Sequence, residues 1–140
     1  MPGIDDRELR TGPDGFTWLV PPAAPWQYLG ARFTGRPPDR LSVPAEYEVR
    51  LPHRRGVPTG ERRFDVGRYF DVDTDLTRAF SSLVQWATRA SDRNGLKLRS
   101  VMVYGRVTDA VPGFGFVPTS KALAAIAAVD ARLDVSVYAA

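Results

Sequence analysis

The fold class is decided by residues 73–104, DTDLTRAFSSLVQWATRASDRNGLKLRSVMVY, where two apolar spacings follow one another. In the first part the apolar residues recur at every third or fourth position, which predicts a helix with one apolar face. A short polar side chain at Asp73 or Thr74 is expected to cap this helix, and Asn94-Gly95 is expected to end it in a left-handed turn. The apolar face consists of Leu76, Ala79, Phe80, Leu83, Val84, Ala87 and Ala90.

Strand patterns lie on both sides of this helix. Residues 98–104 alternate with both faces mostly apolar, which favours a central strand. Before the helix, residues 47–51 and 64–70 alternate between apolar and polar positions, which is typical of strands with one wet face. Residues 53–63 between them are rich in Gly and Pro and are expected to form a turn, so the two strands can form a hairpin with a long connection.

A second helix and a last strand follow the loop Pro112-Gly113-Phe114-Gly115. Thr119 or Ser120 is expected to cap the helix, and residues 132–138 alternate as a strand. The order strand, strand, helix, strand, helix, strand predicts an α+β fold, a two-layer, mostly antiparallel sheet with two helices on one face.

The first 44 residues have a different composition. Eight of the 12 prolines precede Ala45, and proline lacks the backbone donor that an interior strand needs. Aromatic residues, among them Trp18 and Trp26, lie between these prolines, so the segment does not resemble a disordered tail. We therefore predict an extended proline- and aromatic-rich arm over residues 1–44, packed on its own domain or on a partner, and one α+β domain over residues 45–140.

Composition excludes several classes of protein. The chain has 140 residues and no Cys, which rules out a disulfide framework, a thiolate nucleophile and a cysteine-ligated metal site. No apolar run is long enough for a membrane span. The first ten residues lack the apolar stretch of a secretory signal, so a cytoplasmic location is expected. The net charge of +3 comes mostly from arginine, which a GC-rich genome produces without any binding role.

The carboxyl-terminal segments 116–123, FVPTSKAL, and 135–138, VSVY, resemble the end of a family of small bacterial domains of unknown function, domain-of-unknown-function family 4279. With the helix over residues 75–90 and the strand to Tyr104, the resemblance covers about half of the chain. It implies an α+β domain and carries over no catalytic residues. The proline-rich opening of this chain departs from the family's usual opening.

Asp71, Asp73 and Asp75 form a D-x-D-x-D run, and alternating carboxylates can gather ligands for calcium or magnesium. The calcium-loop pattern fails, because Leu76 and Ser82 occupy the positions that require Gly and Glu. We favour the interpretation that the acids precede a helix and interact with the positive end of its dipole. The expectation is therefore no metal and no cofactor.

The clearest charged feature is the arginine-rich loop over residues 53–63. The guanidinium groups of its arginines can bind a phosphate or a carboxylate in bidentate fashion. A charge run in an exposed loop is more often only solvated. Aromatic residues in irregular segments are typical of interfaces but also hold such segments on a core. The candidate binding residues are His53, Arg54, Arg55, Arg62, Arg63, Trp18, Trp26, Phe114 and Phe116.

These observations favour a non-catalytic binding module that acts through contacts with another protein. The alternative is a small cofactor-free enzyme of secondary metabolism, with an apolar pocket and an acid/base such as Asp65, Asp109 or a tyrosine. A third hypothesis is nucleic-acid or anion binding through the arginine-rich loop. An enclosed cavity with a polar group would favour the enzyme, and basic residues gathered on one face would favour nucleic acid.

Overall fold

The computed structural model describes residues 8–11, 16–20, 26–50, 53–54, 57–58, 63–107 and 116–139, with side chains over 26–50, 63–106 and 116–137. Its elements in chain order are β1 (Glu8–Thr11), β2 (Phe16–Val20), β3 (Trp26–Thr34), β4 (Glu48–Arg50), β5 (His53–Arg54), β6 (Val57–Pro58), β7 (Arg63–Phe70), α1 (Thr77–Asn94), β8 (Lys97–Val107), α2 (Ser120–Ala128) and β9 (Arg132–Ala139).

Five strands form the main sheet in the order β4-β7-β3-β8-β9. All neighbours are antiparallel except β8 and β9, which are parallel and joined through α2. The helices pack on one face of this sheet, so the α+β class and the mostly antiparallel sheet are confirmed. The predicted β4–β7 hairpin also forms, with Val49 opposite Val66. A second sheet has the order β1-β2-β5-β6, and β5 and β6 lie where a turn was expected.

The central strand β3 corrects the predicted arm. Residues 26–34 pair with β7 on one side and β8 on the other, so the main sheet begins at Trp26 and the arm does not extend through these residues. Pro25 and Pro37 bracket the nine-residue strand without entering it, so its backbone donors are intact. Because nearly every residue of β3 is buried, its sequence lacks the alternation that identifies a strand with one wet face.

Helix α1 begins at Thr77, three or four residues later than predicted. Residues 71–74 form a turn in which the Thr74 amide donates to the Asp71 carbonyl. The carbonyls of Asp71 and Thr74 also accept from the buried Gln27 amide, at 2.8 Å each. The Thr74 carbonyl is therefore occupied by a side chain of β3. The helix ends as predicted, with Gly95 in the left-handed conformation at φ 62°.

Asp75 stabilises the start of α1, since its Oδ1 accepts from the Thr77 amide at 2.9 Å. This hydrogen bond lowers the pKa of the Asp75 carboxyl below its ordinary value. A lowered native pKa contributes stability above the unfolded value of about 4 that is lost as the pH falls through the native value. We expect the Tm advantage of the native chain over Asp75→Asn to shrink below about pH 4. Thermal unfolding across pH checks this, and a pH-independent difference would contradict it.

The core lies between α1, α2 and one face of the sheet. Phe33 of β3 stacks on Phe64 of β7 with ring centroids 5.2 Å apart and meets the Trp86 ring edge-on at 5.9 Å. The α1 side of the core contains Phe80, Leu83, Val84, Ala87 and Ala90, as the helical spacing predicted. Among the described residues, neither helix has the length and apolar composition needed to cross a membrane.

Helix α2 packs against α1 and β9 on the same face. Thr119 caps it, since Thr119 Oγ1 accepts from the Ala122 amide at 3.1 Å, which confirms the predicted start. Ala122 and Ile126 are the buried residues of α2. The two helices leave the sheet face uncovered near β4, where a groove lies beside α1.

Candidate functional site

The sheet face opposite the helices carries an aromatic cluster formed by Trp26, Tyr28, Tyr69, Met102 and Tyr104. Tyr28 is at its centre, with ring centroids 4.9 Å from Tyr69 and 5.8 Å from Tyr104. Trp26 meets Tyr69 edge-on at 5.2 Å. Trp26 and Tyr28 are only 8% and 5% exposed, so their rings are not available for stacking on a ligand.

Three charged side chains on this face, Arg32, Arg50 and Asp65, have compensating neighbours. The Arg50 guanidinium lies 4.9 Å from the Tyr69 ring centroid and 5.4 Å from that of Tyr28. Arg32 donates to both carboxylate oxygens of Asp65, at 2.8 and 3.0 Å. Asp65, a candidate acid/base from the sequence, is therefore held in a bidentate ion pair. Burial raises the pKa of Tyr28 well above its ordinary value, so this phenol stays protonated at neutral pH.

The groove beside α1 is the candidate functional site. It has a volume of about 450 Å³, within the range of ligand pockets of about 300–1,000 Å³. Its floor is the end of β7, one wall is α1, and the other wall is the connection from β3 to β4. Its lining residues are mostly apolar and comprise Ser42, Val43, Pro44, Tyr47, Arg68, Phe70, Ala79, Ser82, Leu83 and Trp86.

A strained turn forms the rim of the groove. The Tyr47 amide donates to the Pro44 carbonyl at 3.1 Å, which closes a β-turn over residues 44–47. Glu46 occupies the third position of this turn at φ 69°, a conformation that glycine or asparagine normally adopts there. Non-glycine residues in this region cost about 1–3 kcal/mol and occur often at functional sites. The turn holds the Glu46 carboxylate against Arg68.

Arg68 is the one cation among the residues that line the groove. Its guanidinium lies 4.3 Å from the Phe70 ring centroid and forms an ion pair with Glu46. The Glu46 side chain is 69% exposed and the Arg68 side chain 34%. An ion pair with this much solvent contact contributes only about 0–1 kcal/mol, so another carboxylate can replace Glu46 at little cost.

Trp86 and Tyr47 fix the shape of the groove. Trp86 Nε1 donates to the Ser42 carbonyl at 2.9 Å, which ties α1 to the opposite wall. The Tyr47 ring lies edge-on to Phe70 at 6.4 Å. Burial raises the pKa of the Tyr47 phenol to about 12, against the opposing effect of the Arg68 charge. Tyr47 is therefore neutral at physiological pH and can donate a hydrogen bond, but it is not a base.

The structure places only some of the predicted site residues. His53 and Arg54 form β5 and Trp18 lies in β2, each described by its backbone alone. Arg63 is the first residue of β7 and is half-buried. Arg55, Arg62 and Phe114 lie outside the described residues, as does Asp109 of the enzyme hypothesis.

Two predicted aromatic residues have packing roles. Trp26 belongs to the buried aromatic cluster of the sheet. Phe116 is half-buried against the core, with its ring 5.1 Å from Phe80. The carboxylates of Asp71, Asp73 and Asp75 belong to no group that could hold a metal ion within the part of the chain that the structure describes.

Sequence reasoning missed the groove residues. Trp86 lies within the predicted helix but outside its apolar face. A bulky aromatic residue beside that face was the one sequence feature that could have indicated a second contact surface on the helix. Tyr47, Arg68 and Phe70 were assigned only to strands. The two walls of the groove are about 40 residues apart in sequence and are brought together by tertiary packing alone.

Comparisons with protein-family models, with curated proteins and with solved structures find no match to this chain. The resemblance of the second half to domain-of-unknown-function family 4279 therefore stays a prediction.

Proposed function

We propose that this protein is a non-catalytic binding module that acts through contact with another protein, and that the groove beside α1 is its binding surface. The observation that carries the proposal is the combination of an apolar groove with Arg68 at its rim, ion-paired with an exposed carboxylate on a strained turn. Such a site offers apolar burial for affinity and one charge for orientation.

The groove favours a partner segment of defined chemistry. Phe70, Leu83 and Trp86 supply apolar walls for one bulky apolar side chain. Arg68 then selects a carboxylate next to that side chain, because a guanidinium binds carboxylates in bidentate fashion. The expected ligand is thus a peptide segment with an apolar anchor beside an acidic residue or a terminal carboxylate.

Binding at Arg68 requires an exchange of carboxylates. In the free protein Glu46 neutralises Arg68 through an exposed ion pair. A partner carboxylate that replaces Glu46 therefore displaces a contact that contributes only about 0–1 kcal/mol, as expected for a site that binds reversibly.

The two other hypotheses have less support. Both carboxylate oxygens of Asp65 are held by Arg32, and burial raises the pKa of the Tyr28 and Tyr47 phenols, so neither phenol is a base near neutral pH. Nucleic-acid or anion binding is predicted for the arginine-rich loop, of which the structure describes the backbone of β5 and β6 and the half-buried Arg63.

Panning a displayed library of random peptides against the full chain tests the proposal. We expect enriched peptides to share an apolar residue beside an acidic one or a carboxyl terminus. Arg68→Gln should weaken their Kd about tenfold, because it removes one charge-assisted contact of about 1.4 kcal/mol. Ser82→Arg should abolish binding by filling the groove from an exposed position of α1.

The matched control is Arg99→Gln, which removes the same charge at an exposed position outside the groove. Its affinity for the selected peptides should equal that of the native chain. Peptides that bind all three variants equally would contradict the groove as the binding surface. A library that yields no enriched peptide would contradict peptide binding itself.

A further inference from the structure

The two edges of the main sheet differ in their protection against pairing. An open edge presents unpaired backbone donors and acceptors, so proteins shorten it or place lysine, proline or other charges on it. Edge strand β4 has only three residues, and two of them are Glu48 and Arg50. Edge strand β9 has eight residues, RLDVSVYA, and pairs with β8 without a shift in register. It carries two charges, Arg132 and Asp134, in a strand more than twice as long, and neither Lys nor Pro.

The exposed apolar residues concentrate at the β9 edge. Six large hydrophobic side chains are exposed in the described part of the chain, and four of them belong to α2, its end and β9. Val135 and Val137 of β9 are 49% and 56% exposed, and Leu123 and Val129 are 40% and 36% exposed. No described strand pairs with the outer side of β9, so this edge combines backbone groups without a strand partner with an apolar surface, as expected for an interface.

We propose that β9 is a self-association edge, at which two copies of this chain pair their β9 strands antiparallel about a two-fold axis at Val135. A two-fold interface requires a surface that is complementary to itself. About this axis, Leu133 lies opposite Val137 of the second copy and Val135 lies opposite itself, so apolar residues meet on one face. The main sheet then continues through both copies.

Charge disfavours one neighbouring register. A two-fold axis at Asp134 would place two carboxylates directly opposite each other, which is unfavourable in antiparallel pairs. An axis at Val135 places each Asp134 opposite Ser136 instead. Within its own chain the Asp134 carboxylate accepts a hydrogen bond from the Tyr104 hydroxyl at 3.1 Å. This bond holds the carboxylate on the sheet face, so it does not block the edge.

Matched substitutions on the two edges test the proposal in the full chain. Sedimentation equilibrium should show a dimer for the native chain. Val137→Lys should raise the dimer Kd at least about a hundredfold, because lysine on an edge opposes pairing. Val49→Lys makes the same change on β4, where valine is 41% exposed, and should leave the Kd unchanged. A monomeric native chain, or equal dissociation by both variants, would overturn the proposal.

Single cysteines test the register without relying on a destabilising change, since the native chain has no Cys. Facing residues of an antiparallel pair have Cα atoms about 4.5–5.5 Å apart, within disulfide range. Val135→Cys should therefore form a disulfide-linked dimer under mild oxidation. Val137→Cys should not, because its counterpart lies four residues away along the paired strand. Cross-linking at 137 but not at 135 would overturn the register.

Discussion

Replacing Phe33 by alanine should lower the free energy of unfolding by about 3–5 kcal/mol. Phe33 is fully buried on the central strand and contacts both Phe64 of β7 and Trp86 of α1. Truncation loses the transfer free energy of the ring and leaves a cavity between three elements that cannot all move to fill it. Since small domains have about 5–15 kcal/mol of stability, the loss is a large part of the total.

Urea denaturation followed by circular dichroism measures this change, with Phe116→Ala as the matched control. Phe116 is half-buried at the edge of the core, so its truncation should cost less than about 2 kcal/mol. Equal losses for the two variants would contradict the position of Phe33 at the centre of the core.

Gly67→Ala should destabilise the sheet by about 3 kcal/mol, because Tyr28 occupies the space that a side chain would need. A Cβ at Gly67 would lie 1.8 Å from Tyr28 Oη and 2.3 Å from its Cζ. The Tyr28 ring is 5% exposed and packs against the rings of Tyr69 and Tyr104, so it has little room to move. The aromatic cluster therefore depends on a residue without a side chain at this position of β7.

Two further variants distinguish steric crowding at Gly67 from the backbone cost of replacing a glycine. Both are measured in the same denaturation experiment. A Cβ at Gly95 would have no atom within 4 Å. Gly95→Ala should therefore lower the free energy of unfolding by only about 1–2 kcal/mol, the cost of a left-handed backbone for alanine. In a Tyr28→Leu background, the cost of Gly67→Ala should fall by about 1 kcal/mol or more. An unchanged cost in that background would show that Tyr28 does not cause the strain.

The elements that the sequence predicts well are those with one apolar face. In helix α1 the buried residues recur at helical spacing, and β7 and β9 alternate in sequence between apolar and polar residues, so these spacings identify the elements. The cap at Thr119 and the stop at Gly95 are local interactions, and the sequence contains both partners within a few residues. The α+β class follows from these elements alone.

The central strand and the groove depend on distant residues. Strand β3 is buried on both faces, so no alternation marks it, and the prolines around it suggested an arm. The predicted start of α1 was wrong, because the Thr74 carbonyl accepts a hydrogen bond from Gln27, a residue far away in sequence. The groove likewise needs Trp86 to reach the Ser42 carbonyl, a contact between residues 44 apart.

Mapping amide chemical shifts by NMR while adding a peptide selected by panning tests the proposed binding surface most directly. We expect the largest shifts at Val43, Tyr47, Phe70 and Ser82, and a shift at Glu46 as its carboxylate leaves Arg68. The same peptide should cause no shifts at these positions in Ser82→Arg. Shifts confined to β5 and β6, or to the aromatic cluster of the opposite sheet face, would contradict the groove as the site of binding.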